Sequence, residues 1–408
     1  MNFSVETDEL LKPFLKTFGS CEKPPYTKEA NRAFRPLLLS LYKDLTEAHQ
    51  YLFQAGCFKS QLIAKPHLSR PVHYSESRYF PETIKTYIKE NEKQQLVFTC
   101  SNVGGREIHI YFTLFAESDS AKYTNYVQKM YRWLYICGKY AKTECTNTLN
   151  IYVYPTPFAK KLPENTTTTL GPEHVNTAFT VACAPQGQII IFREEEWFKV
   201  FIHETFHTYG LDFAQSDISA LKQTLGSLFP IKSDFDVYEA YTETWARIIN
   251  CALCSFQTTK KIDSATFLTH LTFCLELEKM FALYQCVKVL EYMGMDYTDL
   301  HSPRGGQNLY RENTHVFSYY VLTAIFLNDY QGFMLWCKTH NEVLLRFNSS
   351  AHNFLALAEY IKTIYNCVPF QNNVSYMNDL IGQINNKYKT KSKNLQQTLR
   401  MSIVHTTV

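Results

Sequence analysis

Apolar positions recur at helical spacing over residues 28–58, the strongest such stretch in a first ninety residues that read as mostly helical. The pattern ends near the proline-spaced segment 65–71. Residues 94–100 and 107–115 are rich in β-branched and aromatic side chains and flank Asn102-Val103-Gly104-Gly105, which predicts a hairpin. Over 121–140, Tyr123, Val127, Met130, Tyr131 and Leu134 define one apolar helical face. Residues 149–154 alternate as a strand, and a polar loop at 164–171 follows Pro155. Two further strand-like runs, 176–182 and 188–192, are joined by Ala184-Pro185-Gln186-Gly187. A helix is then predicted to open at 193–196, where three glutamates suit the positive end of its dipole. It runs through Thr208 and stops at Gly210. From Ser216 onward the pattern is helical almost to the end, most clearly over 235–253 and 265–293, and no internal repeat interrupts it.

The expected fold class is therefore α+β. A helical N-terminal segment (1–90) precedes a mixed α/β domain (91–255), a mostly α-helical C-terminal lobe (256–386) and a basic, flexible tail (387–408).

Composition adds exclusions. Hydrophobic residues make up 45% and charged residues 19%, enough for a sizeable core and too apolar for wholesale disorder. With 41 basic and 38 acidic residues the charge is too even to imply a nucleic-acid or anionic-membrane partner. Residues 1–14 carry Glu6, Asp8 and Glu9 and lack the basic-then-apolar run of a signal peptide. A cytoplasmic location is the expectation, with the 12 cysteines reduced and no disulfide framework. Sequons at Asn165 and Asn348 carry no weight without secretion. The best candidate span, 316–336, is interrupted by Asn328, Asp329 and Gln331, so no membrane span is expected. The oligomeric state is not legible.

Chemistry enters at His203-Glu204-Thr205-Phe206-His207, an H-E-x-x-H pattern inside the helix predicted after Phe192. Positions four apart share a helical face, so both imidazoles can reach one ion about 2 Å away. Glu204 lies beside that face, placed to take a proton from a metal-activated water. Thr205 and Phe206 point elsewhere, into a core.

A catalytic zinc site needs a third protein ligand. Glu239 and Glu243 are four apart on the next strongly helical run, so one can ligate while the other orients a histidine N–H. A solvated glutamate pair would show the same spacing. Asp212, five residues past His207, is the rival ligand or a helix-end supporting group.

On these residues, 94–253, roughly 40% of the chain, resemble a zincin metallopeptidase domain of the gluzincin kind. The resemblance implies a twisted sheet before the H-E-x-x-H helix, a zinc cofactor, and a peptide or protein substrate. It implies that Glu239 ligates the metal and that Glu243 supports a histidine. Asn176, Thr177 and Ala178 resemble the edge strand that pairs with extended substrate. His315, Tyr319 and Tyr320 fall where such enzymes carry a donor for the oxyanion. Two departures stand out: Glu239 follows His207 by 32 positions, implying an insertion at 214–233, and the second acid is Glu rather than Asp. The chain's overall texture and Thr314-His315-Val316-Phe317-Ser318-Tyr319-Tyr320 are similar to metallopeptidase-like proteins of large cytoplasmic DNA viruses.

The alternative from another class is a catalytically silent zincin-like scaffold acting as a structural or interaction component. The intact Glu204 argues against it, and the aromatic, low-charge composition argues for it. Cys251 and Cys254 read as buried thiols, and His67, His73 and His109 have no partner at ligand spacing.

Overall fold

The computed structural model describes residues 3–55, 58–72, 74, 77–116, 120–258, 263–387 and 393–405; His73 lies outside them. Two amphipathic helices open the chain, α1 (Val5–Lys16) and α2 (Lys28–Ala55), followed by strand β1 (Lys59–Ala64) and helix α3 (Glu82–Asn91). The predicted hairpin is β2 (Gln94–Val103) and β3 (Arg106–Leu114). Its turn has φ +58° at Gly104 and +82° at Gly105, the pair of positive values a two-residue connection demands. Then come α4 (Ser120–Tyr140), β4 (Thr148–Val153), the short α5 (Pro172–Val175), β5 (Ala178–Thr180), β6 (Gln186–Ile191), α6 (Trp197–Thr208), α7 (Ser219–Leu228) and α8 (Val237–Gln257). The C-terminal lobe holds α9 (Ser264–Tyr292), α10 (Pro303–Asn308), a π-helical turn (Phe317–Leu322), α11 (Thr323–Asn328), α12 (Tyr330–His340), α13 (Ala351–Ile364), α14 (Val368–Lys387) and α15 (Lys393–Gln397).

The six strands form one mixed sheet in the order β1-β2-β3-β4-β6-β5. Strands β3, β4 and β6 run parallel, and β5 is antiparallel to β6 at one edge. Alternation assigns their side chains to two cores. Ile110, Ile151, Val153, Ile189 and Ile191 enter the main core, whereas Tyr152, Tyr154, Ile190 and Phe192 pack on the other face with Phe80, Ile84 and Ile88. Every residue of α6 is buried, because it lies between the sheet and α8. Trp133 of α4 stacks on Phe206 at 5.8 Å and donates to Thr205 Oγ1 at 2.6 Å. This is the zincin-like α+β arrangement: a sheet, an active-site helix, a helical N-terminal segment and a mostly helical C-terminal lobe. Among the described residues no helix is long and apolar enough to cross a membrane.

Four expectations are corrected. Residues 59–64, in the stretch read as mostly helical, are a strand; β1 is nearly all exposed and exists through its pairing with β2, which leaves no helical or strand periodicity to read. The active-site helix starts at Trp197, and its three preceding glutamates do not cap it. Glu194 pairs with Lys122, Glu195 accepts from the Lys160 N–H, and Glu196, at φ +58°, pairs with Lys160.

The third correction is a disulfide between Cys145 and Cys183. Each lies three residues before a strand, and the parallel register aligns Thr148 with Gln186, so the sheet itself brings the two cysteines together. Spacing along the chain carries no trace of that. The fourth is the tail. Residues 393–405 do not fray: Leu395, Leu399, Met401, Ile403 and Val404 are buried. Glu278 Oε1 accepts from the N–H groups of Ile403 and Val404 at 3.0 and 2.8 Å, and Glu196 Oε2 accepts from that of Met401 at 3.0 Å. Two buried carboxylates thus satisfy the backbone of an apolar segment, which lets it enter the core.

Candidate metal centre

On α6, His203 and His207 stand one turn apart with their Nε2 atoms 3.1 Å from each other. Glu239, in the first turn of α8, places Oε2 at 3.0 Å from His203 Nε2 and 3.5 Å from His207 Nε2. These three donor atoms lie within 4.8 Å of one another, and all three residues are buried.

The opposite side of each imidazole is already engaged. His203 Nδ1 is 3.1 Å from Glu243 Oε2, and His207 Nδ1 contacts Asp212 Oδ2. A carboxylate can only accept, so each Nδ1 carries a proton, which leaves Nε2 as the nitrogen of each ring that can coordinate a metal ion once it gives up its own proton. Both Nε2 atoms and a carboxylate oxygen converge on one point, where the carboxylate charge is balanced by imidazole protons or, in their place, by a metal cation. His₂Glu is a zinc donor set, and the residues fit the ion.

The two bracing carboxylates are placed by different devices. Glu243 lies one turn after Glu239 and is held by Lys199 Nζ at 2.8 Å and Arg247 Nε at 2.9 Å. Asp212 arrives through the end of α6. Gly210 N–H donates to the His207 carbonyl and Leu211 N–H to that of Phe206, closing a Schellman turn with Gly210 at φ +62°. The chain therefore reverses and returns Asp212 to His207, where Thr242 Oγ1 donates to Asp212 at 3.1 Å. A Cβ on Gly210 would meet Cys145 Sγ at 2.8 Å. Gly210→Ala is expected to lower stability by about 1–3 kcal/mol, read by denaturant unfolding; an unchanged midpoint would contradict this account. Asp212→Ala should weaken zinc binding by about 10–100-fold in competition with a chromogenic chelator.

Burial and neighbours set the charges. Burial would raise the Glu239 and Glu243 carboxyls, yet both are held well below the usual range, by His207 and His203 for Glu239 and chiefly by Lys199 for Glu243. Burial would lower His207, but Asp212 and Glu239 outweigh it and hold that imidazole well above its ordinary value. Glu204 moves the other way: burial raises it, against the opposing pull of the two histidines. Burial and the nearby Glu239 keep the Tyr319 phenol protonated.

Glu204, His203, His207 and Glu239 open onto a cleft of about 350 Å³, which Tyr79, Tyr238, His315 and Tyr319 also line. Tyr319 OH reaches Glu239 Oε2 at 3.1 Å. His315 Nδ1 is buried without a hydrogen-bond partner among the described residues, 3.8 Å from Asp236 Oδ2. Tyr320 is a correction: its hydroxyl donates to the Leu399 carbonyl at 2.5 Å, outside the cleft, because successive residues of the π-helical turn point in different directions.

The sheet edge is also shifted from the expected positions. Strand pairing begins at Ala178; the Thr177 carbonyl accepts from Phe192 N–H, and Asn176 Oδ1 accepts from Thr314 Oγ1. Since bonded pairs alternate along an antiparallel ladder, the backbone groups of Ala178 and Thr180 face outward, along the cleft.

Sequence reading passed over Lys199, Arg247, Tyr79, Tyr238 and Met401. The first two had a signal: Lys199 precedes His203 by four residues and Arg247 follows Glu243 by four, so each shares a helical face with the group it serves. The others come from distant segments and had none. No protein-family model, curated protein or solved structure matches this chain.

Proposed function

We propose that the protein is a zinc-dependent peptidase. The observation that carries this reading is the convergence of His203 Nε2, His207 Nε2 and Glu239 Oε2 beside Glu204, with both Nδ1 atoms occupied by carboxylates. Zinc held there supplies Lewis acidity and a water acidic enough to lose its proton near neutral pH.

The remaining work falls to the chain. Extended substrate adds to the outward edge of β5 at Ala178 and Thr180, where Val181, 53% exposed, offers an apolar contact. The Glu204 carboxylate accepts the proton of the attacking water and passes it to the leaving amine. Its raised affinity for protons suits both halves of that task. Tyr319 OH, kept protonated, donates to the oxygen on which negative charge develops, with His315 facing the same cleft. Glu243 and Asp212 keep the rings oriented. Tyr79 from the connection between β1 and α3, and His315 and Tyr319 from the helical lobe, bring segments from both sides of the chain to the cleft wall.

Incubating the zinc-loaded full chain with a diverse peptide mixture tests this, with mass spectrometry identifying new termini. Cleavage that stops on chelation and returns with zinc is the expected result. Stoichiometric zinc with no cleavage of any peptide would leave the scaffold reading standing instead.

A further inference from the structure

The cleft is wide on one side of the metal ligands and pinched on the other. The wide side runs along Phe179, Thr180 and Val181. The other side, beyond Ala178, closes to about 30 Å³, against about 350 Å³ for the wide side. Val200, one helical turn before His203 and Glu204, forms part of its wall, as do Val175 and Tyr319. Met401, from the buried C-terminal segment, completes it, with its sulfur 3.7 Å from Lys199 Nζ. The lysines at this end are neutralised, Lys199 by Glu243 and Lys160 by Glu196, so nothing there selects an acidic group. Thr177 Oγ1 is buried without a hydrogen-bond partner among the described residues and lines the same pocket.

Antiparallel pairing is the commoner way for a strand to join a sheet edge. Strand β5 runs from the pinched side toward the wide side, so a substrate joining it antiparallel runs from the wide side into the pinched one. From this we infer that the enzyme cuts before a small residue: the side chain following the scissile bond is that of glycine, alanine or serine. A serine hydroxyl would meet Thr177 Oγ1. Valine, leucine and aromatic residues have no space there, while the wide side tolerates bulk. This rests on the peptidase reading and names the substrate class for that site.

The test is a peptide library randomised on both sides of the cut, digested by the zinc-loaded full chain and read by mass spectrometry. Glycine, alanine and serine after the cut are expected to exceed leucine by at least about 10-fold in kcat/KM. Val200→Ala and Met401→Ala should each admit valine or leucine while still cutting before glycine. Isothermal calorimetry on the zinc-loaded Glu204→Gln protein adds a readout without turnover, in which uncut glycine peptides should bind more tightly than leucine peptides. Efficient cleavage before leucine, a small-residue requirement confined to the preceding position, or an unchanged profile in both folded variants would overturn the inference alone. No cleavage of any peptide would remove the peptidase reading and this inference with it.

Discussion

Glu204→Gln is expected to reduce peptide hydrolysis by about 10²–10⁴-fold while the protein keeps one zinc per chain. Glutamine has nearly the same shape and lacks only the capacity to accept and return a proton. Glu204 is not among the three converging donors, and no side-chain hydrogen bond ties it to them, so its replacement leaves the ligand set intact. The environment favours this carboxylate over its neighbours for the proposed role. Glu239 and Glu243 are surrounded by cationic or hydrogen-donating partners that hold them ionised, whereas burial dominates at Glu204 and lifts its proton affinity. Turnover measured beside elemental analysis decides the matter. Undiminished hydrolysis in zinc-loaded Glu204→Gln would remove the general-base assignment, and loss of zinc would mean that Glu204 ligates.

The second large effect separates the two carboxylates of α8. Glu239→Ala should lose zinc on dialysis while the fold survives, because the partners of its side chain are the two histidines and the Tyr319 hydroxyl. Glu243→Ala should act through stability. It would strand the Lys199 ammonium, 3% exposed, and leave the Arg247 guanidinium, 1% exposed, with Glu278 Oε2 at 3.9 Å in place of a hydrogen-bonded carboxylate. Removing one partner of a buried ion pair costs about 3–5 kcal/mol, so the midpoint of denaturation should fall sharply even in metal-free protein. Elemental analysis and unfolding of both variants supply the check. Retained zinc in Glu239→Ala with loss in Glu243→Ala would exchange their roles. Equal stability of Glu243→Ala and the parent protein would show that the lysine and arginine find other partners.

The C-terminal segment links these observations. Glu196, just before α6, and Glu278 on α9 both accept backbone N–H groups from residues 401–404, and Met401 borders the pocket beside Glu204. The last part of the chain thus supports the helix that carries both histidines.

Residues four apart on a helix, and side chains alternating along a strand, are local regularities that the order of amino acids dictates by itself. They made α2, the β2–β3 hairpin, α4, α8 and α9 legible, together with the shared face of His203 and His207 and that of Glu239 and Glu243. Gly210 announced the end of α6 because only a residue free to adopt positive φ suits that turn. Local order could not decide which of Glu239 and Glu243 faces the two Nε2 atoms and which faces His203 Nδ1, since both share one helical face; the packing of α8 against α6 did. Nor could it show that Tyr319 meets Glu239 while Tyr320 turns to Leu399, or that Cys145 meets Cys183 through a parallel strand register. The tail misled for the same reason: whether an apolar stretch behind a basic run is buried depends on acceptors more than a hundred residues away, Glu278 and Glu196, which only the folded chain brings to it.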